Sequence, residues 1–301
     1  MMRRMGTIEL AQAHESARAD QSWIMLTDLL RSQGCAHLTV DDVRAFHSVR
    51  PDGVTGRTIT YGQGSGRPLT GTLFRPPTGA GPFPAVVFVH GGGWMAGHSV
   101  MHARHAAHLA ADGFVALTIN YRLIQEASWP AALDDVQAAI AYLRANADEL
   151  GVDPDRIALS GGSAGGHLSA VATALAAGTA QGVRAAVLWY PVIDVSFAQV
   201  PEPIRTFLAS TFTAMLAGAP PVGATPSALV TAAHPPVLIF VGADDAATPA
   251  ADSVAFHDQL TALGVHSEIE VIPGLGHGFE VDPEQWGWSY ERMRDFLRRE
   301  L

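Results

Sequence analysis

Gly161-Gly162-Ser163-Ala164-Gly165 lies between a short apolar run and a long Ala/Leu/Val run, and it has the form G-x-S-x-G. Placed between a strand and a helix, this pattern makes a sharp turn that lifts the serine hydroxyl clear of the backbone, with small residues letting neighbouring chain pass close. The chemistry on offer is attack by Ser163 on an acyl carbon. The N–H of Ala164, first in the following helix, has no intrahelical partner and is free to donate to an oxyanion. A serine in a Gly-rich turn by chance would look the same over five residues, so the rest of the chain decides.

A nucleophilic serine needs a base, a group to orient the base, and donors for the oxyanion. Candidates for each occur around the serine in the order donors, Ser, Asp, His. His90-Gly-Gly-Gly-Trp94 follows a strand-like run, and its glycines let backbone N–H groups turn into a cavity with no Cβ in the way. Gly92 and Gly93 join Ala164 as expected donors, each such donor being worth about 3–4 kcal/mol in a transition state. Of the thirteen histidines, His277 lies in a Gly-rich loop after the last strand-like run, whereas His266 starts a strand and His257 lies within a helix. The orienting acid should follow the preceding strand, where Asp244 and Asp245 are adjacent. Side chains of neighbours in extended chain point opposite ways, so one of the two can serve, and Asp245 fits the phase of the motif better. Asp194, one strand earlier, is expected at the pocket floor.

These groups need a scaffold that brings strand ends together. Ala85–Val89 is a continuous apolar run suited to a strand covered on both faces. From there strands at 114–119, 183–189, 237–241 and 266–272 alternate with helices at 102–112, 130–150, 250–263 and from about 285, the elbow strand and helix between them. Repeated β–α–β units imply parallel strands with right-handed crossovers. A hairpin of 54–61 with 69–74 precedes them. Trp23, Leu26 and Leu30 fall at helical spacing, and Asp41-Asp42 can cap a second short helix, so residues 1–50 read as an N-terminal helical appendage. Residues 195–234 carry Ile204, Leu208, Phe212, Met215 and Leu216 at helical spacing. An insertion after a central strand overhangs the strand ends, so this segment is expected to be a lid or pocket wall, Trp94, Phe207 and Phe212 shaping a modest acyl or aryl pocket. The expected organisation is a single α/β domain over 1–301.

Composition narrows the partners. A net charge of −10 argues against nucleic acid or an anionic membrane surface, and 48% hydrophobic with 16% charged residues supports a large core. The lone Cys35 excludes an internal disulfide and a multi-Cys zinc site and reads as a small apolar side chain. Met1–Met5 is basic enough to open a signal peptide, but Gly6–Asp20 is polar, and no stretch is apolar enough to span a membrane, so a cytoplasmic protein is expected. His98, His102, His105 and His108 recur along one helical stripe, open to reading as a metal site. With no Cys or Glu among them, a His-rich solvent face is the expectation, and no metal or cofactor is assigned.

From about Pro82 to the C-terminus the chain resembles the α/β-hydrolase superfamily, in its esterase/lipase group of hormone-sensitive-lipase-like, carbohydrate-esterase-like and kynurenine-formamidase-like members. The matching residues are His90-Gly-Gly-Gly-Trp94, Asn120-Tyr-Arg-Leu123, Pro130-Ala-Ala-Leu-Asp-Asp135, Asp153-Pro-Asp-Arg-Ile157, Gly161–His167, Gly242-x-x-Asp245 and Gly276-His-Gly-Phe279. The resemblance implies an α/β-hydrolase fold, Ser163, Asp245 and His277 as triad, and Gly92, Gly93 and Ala164 as oxyanion hole. Gly162 departs from the pattern, since such enzymes usually carry an acidic or other polar residue before the serine. That leaves the subfamily open. The expected activity is hydrolysis of small to medium acyl esters. Arylformamide or other amide or lactone hydrolysis by the same triad is the alternative, and a non-catalytic ligand-binding homologue is the alternative of another class. The expected partners are a small-molecule ester and, if the chain dimerises, a second copy of itself.

Overall fold

The computed structural model describes residues 7–32 and 37–301, with side chains from Glu15 onward in the first helix. Met1–Met5 and Cys35 lie outside the described residues.

Helices α1 (Thr7–Ser32) and α2 (Val40–Ser48) come first, α2 starting from a capping box in which Thr39 and Asp42 satisfy each other's backbone N–H groups. The strands and helices that follow are β1 (Gly56–Gly64), β2 (Arg67–Phe74), β3 (Phe83–Val89), α3 (Ala103–Ala111), β4 (Val115–Ile119), α4 (Ala131–Ala145) and α5 (Ala147–Leu150). Then come β5 (Val152–Gly162), α6 (Ala164–Leu175), β6 (Ala185–Trp189), α7 (Ile204–Leu216), α8 (Pro226–Leu229), β7 (Val237–Gly242), α9 (Ala250–Ala262), β8 (Ser267–Ile272) and α10 (Pro283–Glu300). Among the described residues these strands form one eight-stranded sheet in the order β1-β2-β4-β3-β5-β6-β7-β8, with β1 and β2 antiparallel and β3 to β8 parallel. The parallel strands are those expected from the alternating pattern, and the whole is the α/β-hydrolase architecture that the resemblance implies.

Strand alternation divides the core into two layers. Val87, Val89, Leu117 and Leu159 face α4 and α6, meeting Val136, Ile140, Leu168 and Val171. Val86, Phe88, Ala116 and Phe240 face α3 and α10, meeting Ala106, Leu109, Met293 and Phe296. Both faces of β3 are therefore covered, which is why its run is apolar without a break. After β3 the chain goes to one side for β4 and to the other for β5. The crevice at this change of direction brings the loop after β3 and the turn after β5 together.

The described part of the N-terminal segment packs on the body. Trp23, Leu26 and Leu30 are buried with Val43, Met101 and Val281, so α1 lies across the C-terminal ends of the strands. Amphipathic spacing shows that a helix face is buried but not what covers it.

The histidine stripe differs from its expectation as a solvent face. His98 is 9%, His102 4% and His105 1% exposed. A 3-10 turn at Ser99–His102 leads into α3, whose histidine face turns inward against Phe88 and Trp189 and under Trp286 and Tyr290 of α10. Burial lowers His47 to about 3 and His102 to about 4. Folded, both stay neutral, while the unfolded chain protonates them near 6.5. Their contribution is thus fully present above about pH 6.5 and is lost as pH falls toward the folded-state values, by about 1 kcal/mol per pH unit for each. The melting temperature is expected to fall between about pH 6.5 and pH 5, above the range where ordinary carboxylates titrate. A melting temperature that stays level across that interval would contradict this.

Candidate active site

Ser163 sits at the tip of β5 with φ 55° and ψ −120°, a conformation that a side-chain-bearing residue adopts only under constraint. Its N–H donates to Trp189 O at 2.9 Å, and its carbonyl accepts from His167 N at 2.9 Å, so sheet and helix both hold the turn. The flanking glycines are required by space. A Cβ at Gly161 would lie 2.4 Å from Gly165 O, and one at Gly165 would lie 2.1 Å from Val89 O. Ala164 opens α6, leaving its N–H at the positive end of the helix beside Ser163.

The loops after β7 and β8 bring the other two groups to this turn. His277 Nε2 lies 2.9 Å from Ser163 Oγ, and His277 Nδ1 lies 2.8 Å from Asp245 Oδ2. Asp245 is buried and held on its far side: Oδ1 accepts from Ala247 N at 2.9 Å and Thr248 N at 2.8 Å, and Oδ2 from Thr248 Oγ1 at 2.8 Å. These bonds assign the imidazole tautomer, with Nδ1–H donating to the carboxylate and Nε2 accepting from the serine. Burial pushes the Asp245 carboxyl up, but the His277 charge and the hydrogen bonds from His277 and Thr248 prevail, and it lies below the usual carboxylate value. Burial pulls His277 down, yet Asp245 and, more weakly, Glu280 outweigh it, so the imidazole lies above its ordinary value. Asp244 is exposed, its N–H bonded to Leu275 O. Asp194 accepts from Ser196 N and Oγ in its own turn and faces Asp252, so it closes a loop and does not form the pocket floor.

The loop after β3 passes directly beneath the serine, where a Cβ at Gly91 would lie 3.3 Å from Ser163 Cβ. Gly92 has φ +115°, and a Cβ there would meet Ala96 O at 2.4 Å, so this glycine allows the tight turn that aims the loop at Ser163. Arg18 of α1 braces the loop from below, its guanidinium donating to Gly97 O at 2.7 Å and Tyr121 O at 3.0 Å. His90 Nε2 lies 3.3 Å from the same guanidinium, and its Nδ1 lies 2.7 Å from Gly91 O. Burial and the Arg18 charge keep His90 neutral, with Nδ1–H donating to Gly91 O and Nε2 accepting from Arg18.

Ser163, His277 and Gly91–Gly93 open on an apolar cavity of about 440 Å³. Its walls are Met25, Leu26 and Leu29 of α1, Met95 and Met101 after the glycine loop, and Ile204, Phe207 and Leu208 of α7. Phe207 is therefore at the cavity. Trp94 and Phe212 are not, being 1% and 4% exposed. Trp94 packs on Phe212 with ring centroids 5.5 Å apart and donates from Nε1 to His167 Nδ1, beneath the site. Position along α7 separates them: Ile204, Phe207 and Leu208 in its first half reach the cavity, while Phe212 and Met215, further along, pack in the core. Sequence reasoning missed the α1 wall, Arg18, Tyr190 and Glu280. The double apolar pair Met25/Leu29 and Leu26/Leu30 was the available signal, since it widens the buried face of α1 beyond what α2 alone would cover.

Among the described residues, the groups close enough to share an ion are His266, Glu268 and Glu300, near the start of β8, with Glu268 already ion-paired to Arg292 and Arg299. No helix of the described residues is long and apolar enough to cross a membrane.

Residues 72–260 match the family described as BD-FAE. The chain is 34% identical over 218 residues to esterase LipC of Mycobacterium tuberculosis, which covers 66% of this chain and 54% of LipC, about half its length. It is 33% identical over 245 residues to carboxylesterase NlhH of the same species, covering 74% of each. The structure of Thermogutta terrifontis esterase 2 phosphonylated by sarin is similar at a TM-score of 0.73 and 26% identity, over 82% of this chain and 95% of that one.

Proposed function

Because the chain belongs to the BD-FAE family of α/β-hydrolases, we propose that it is a serine carboxylesterase acting on small to medium acyl esters, with Ser163, His277 and Asp245 as its triad. The observation that carries this reading is the hydrogen-bond line from Ser163 Oγ through both nitrogens of His277 to Asp245 Oδ2, at 2.9 and 2.8 Å. Its similarity to proteins named esterases supports the bond type, and the apolar cavity supports the acyl class.

His277 Nε2 takes the Ser163 proton as Oγ attacks the ester carbonyl, and Asp245 stabilises the imidazolium that forms. The N–H groups of Gly92, Gly93 and Ala164 receive the oxyanion. His277 then returns its proton to the leaving alcohol, and water deacylates Ser163 by the same steps in reverse order. The hydroxyl and imidazole are already aligned, so the acyl carbon needs positioning more than the protein needs rearranging. Residues 195–234 act as a pocket wall through Ile204, Phe207 and Leu208, with α1 as the opposite wall of the same domain.

The test is turnover of p-nitrophenyl esters from acetate to octanoate by the wild type and Ser163→Ala. The wild type is expected to hydrolyse the shorter esters fastest, and the variant to lose about 10⁴-fold or more in kcat. Equal, slow rates for both across the series would overturn the reading. Covalent capture of an organophosphate, the reaction recorded for the Thermogutta enzyme, is expected to add one adduct to the wild type and none to Ser163→Ala.

A further inference from the structure

Behind His277 lies a second acid that the triad does not use. Tyr190, at the end of β6, has φ 35°, outside the region that side-chain-bearing residues favour, and its ring centroid is 4.5 Å from that of His277. Its hydroxyl donates to Glu280 Oε1. Glu280 follows His277 by one 3-10 turn, Phe279–Val281, closed by Val281 N donating to Gly278 O at 3.2 Å. The side chain of Glu280 is folded inward, 2% exposed, and its Oε2 has no hydrogen-bond partner among the described residues. The same ring explains Gly162. A Cβ there would lie 3.0 Å from Tyr190 Oη and 3.3 Å from both Cε2 and Cζ, so the phenol fills the space a side chain before the serine would need.

We propose that Tyr190 and Glu280 are positioning residues for His277: a buried hydroxyl–carboxyl pair, seated in the gap left by Gly162, that holds the imidazole and stabilises its cation during turnover. A buried carboxyl with one oxygen unpaired is costly in the resting state. The cost falls when a cation appears beside it, and His277 becomes that cation in the transition state, so the pair favours the transition state over the ground state. The groups facing Glu280 are Tyr190 from β6 and His277 from its own loop, with Asp245 behind His277 and His102 across the cavity wall. Burial raises the Glu280 carboxyl to about 7 against the opposing hydrogen bond from Tyr190, so it changes charge in the range where a histidine base works.

This inference rests on His277 being the base, and its test separates the two. Acid limbs of kcat/KM for the wild type, Glu280→Gln and Tyr190→Phe are measured on p-nitrophenyl butyrate, with active sites counted by organophosphate titration to remove any loss of folded protein. Removing a negative neighbour lowers the pKa of His277. Glu280→Gln is therefore expected to move the acid midpoint at least 0.5 pH unit lower and cut kcat about tenfold at little change in KM. Tyr190→Phe keeps the ring but frees Glu280 to stay protonated, and is expected to shift the midpoint the same way by less. If both variants keep the wild-type midpoint and kcat per titrated site while melting lower, the pair is structural and the proposal fails. If the wild type itself neither turns over esters nor takes the organophosphate, the reading of the site fails first and takes this one with it.

Discussion

Asp245→Asn is expected to lower kcat by about four orders of magnitude while the protein still folds. The size of the effect follows from a proton. Asn Oδ1 can keep the bonds from Ala247 N and Thr248 N that now hold Asp245 Oδ1, at 2.9 and 2.8 Å, which presents the amide nitrogen to His277 Nδ1. A donor there requires Nδ1 to accept, so the ring carries its proton on Nε2, facing Ser163 Oγ, and cannot act as base. The variant also lacks the negative charge that stabilises the imidazolium. kcat on p-nitrophenyl butyrate, measured beside the melting curve, gives the result. A loss of less than tenfold in a folded variant would remove Asp245 from the role assigned to it. Asp244→Asn is the internal comparison: that side chain is exposed and its backbone N–H is bonded elsewhere, so activity is expected to stay near wild type.

Gly165→Ala is expected to cost at least about 4 kcal/mol, or to prevent accumulation of folded protein, because the methyl group has nowhere to go. Its Cβ would be 2.1 Å from Val89 O and 2.5 Å from His90 O, both backbone atoms at the end of a central strand. Relief requires moving α6 off β3, which would open the layer of Val87, Leu168 and Val171 and shift Ser163 from the glycine loop. Gly287→Ala provides the contrast. Gly287 is exposed within α10, and a Cβ there meets nothing within 4 Å. It is expected to gain up to about 1 kcal/mol from the lower entropy of the unfolded chain. Thermal melts of both variants decide the matter, and a Gly165→Ala protein melting close to wild type would show that the crossing is looser than these distances allow.

The sheet was legible because parallel strands covered on both faces leave unbroken apolar runs, and β3, β6 and β7 are such runs. Ser163, Asp245 and His277 could be nominated for a related reason. Each lies just after a strand, and once strands are parallel their C-terminal ends share one edge. Gly162 was the exception, a residue recognised as unusual for which local sequence supplied no cause. The cause is Tyr190, and the acid that holds Tyr190 is 90 residues further along the chain.

Element type, strand direction and the chain order of the candidate triad were thus written in local patterns, since periodicity, turn residues and strand ends are local properties. The walls of the cavity were not. A period of 3.6 shows that α7 has an apolar side and α1 a wider one, but not which of Phe207 and Phe212 meets the cavity or what α1 covers. Those outcomes depend on how each helix crosses the sheet. The bracing of the glycine loop is equally remote, Arg18 reaching Gly97 and Tyr121 across 79 and 103 residues of chain. Contacts of that separation leave no mark in the spacing of neighbouring residues, because packing of the folded chain creates them.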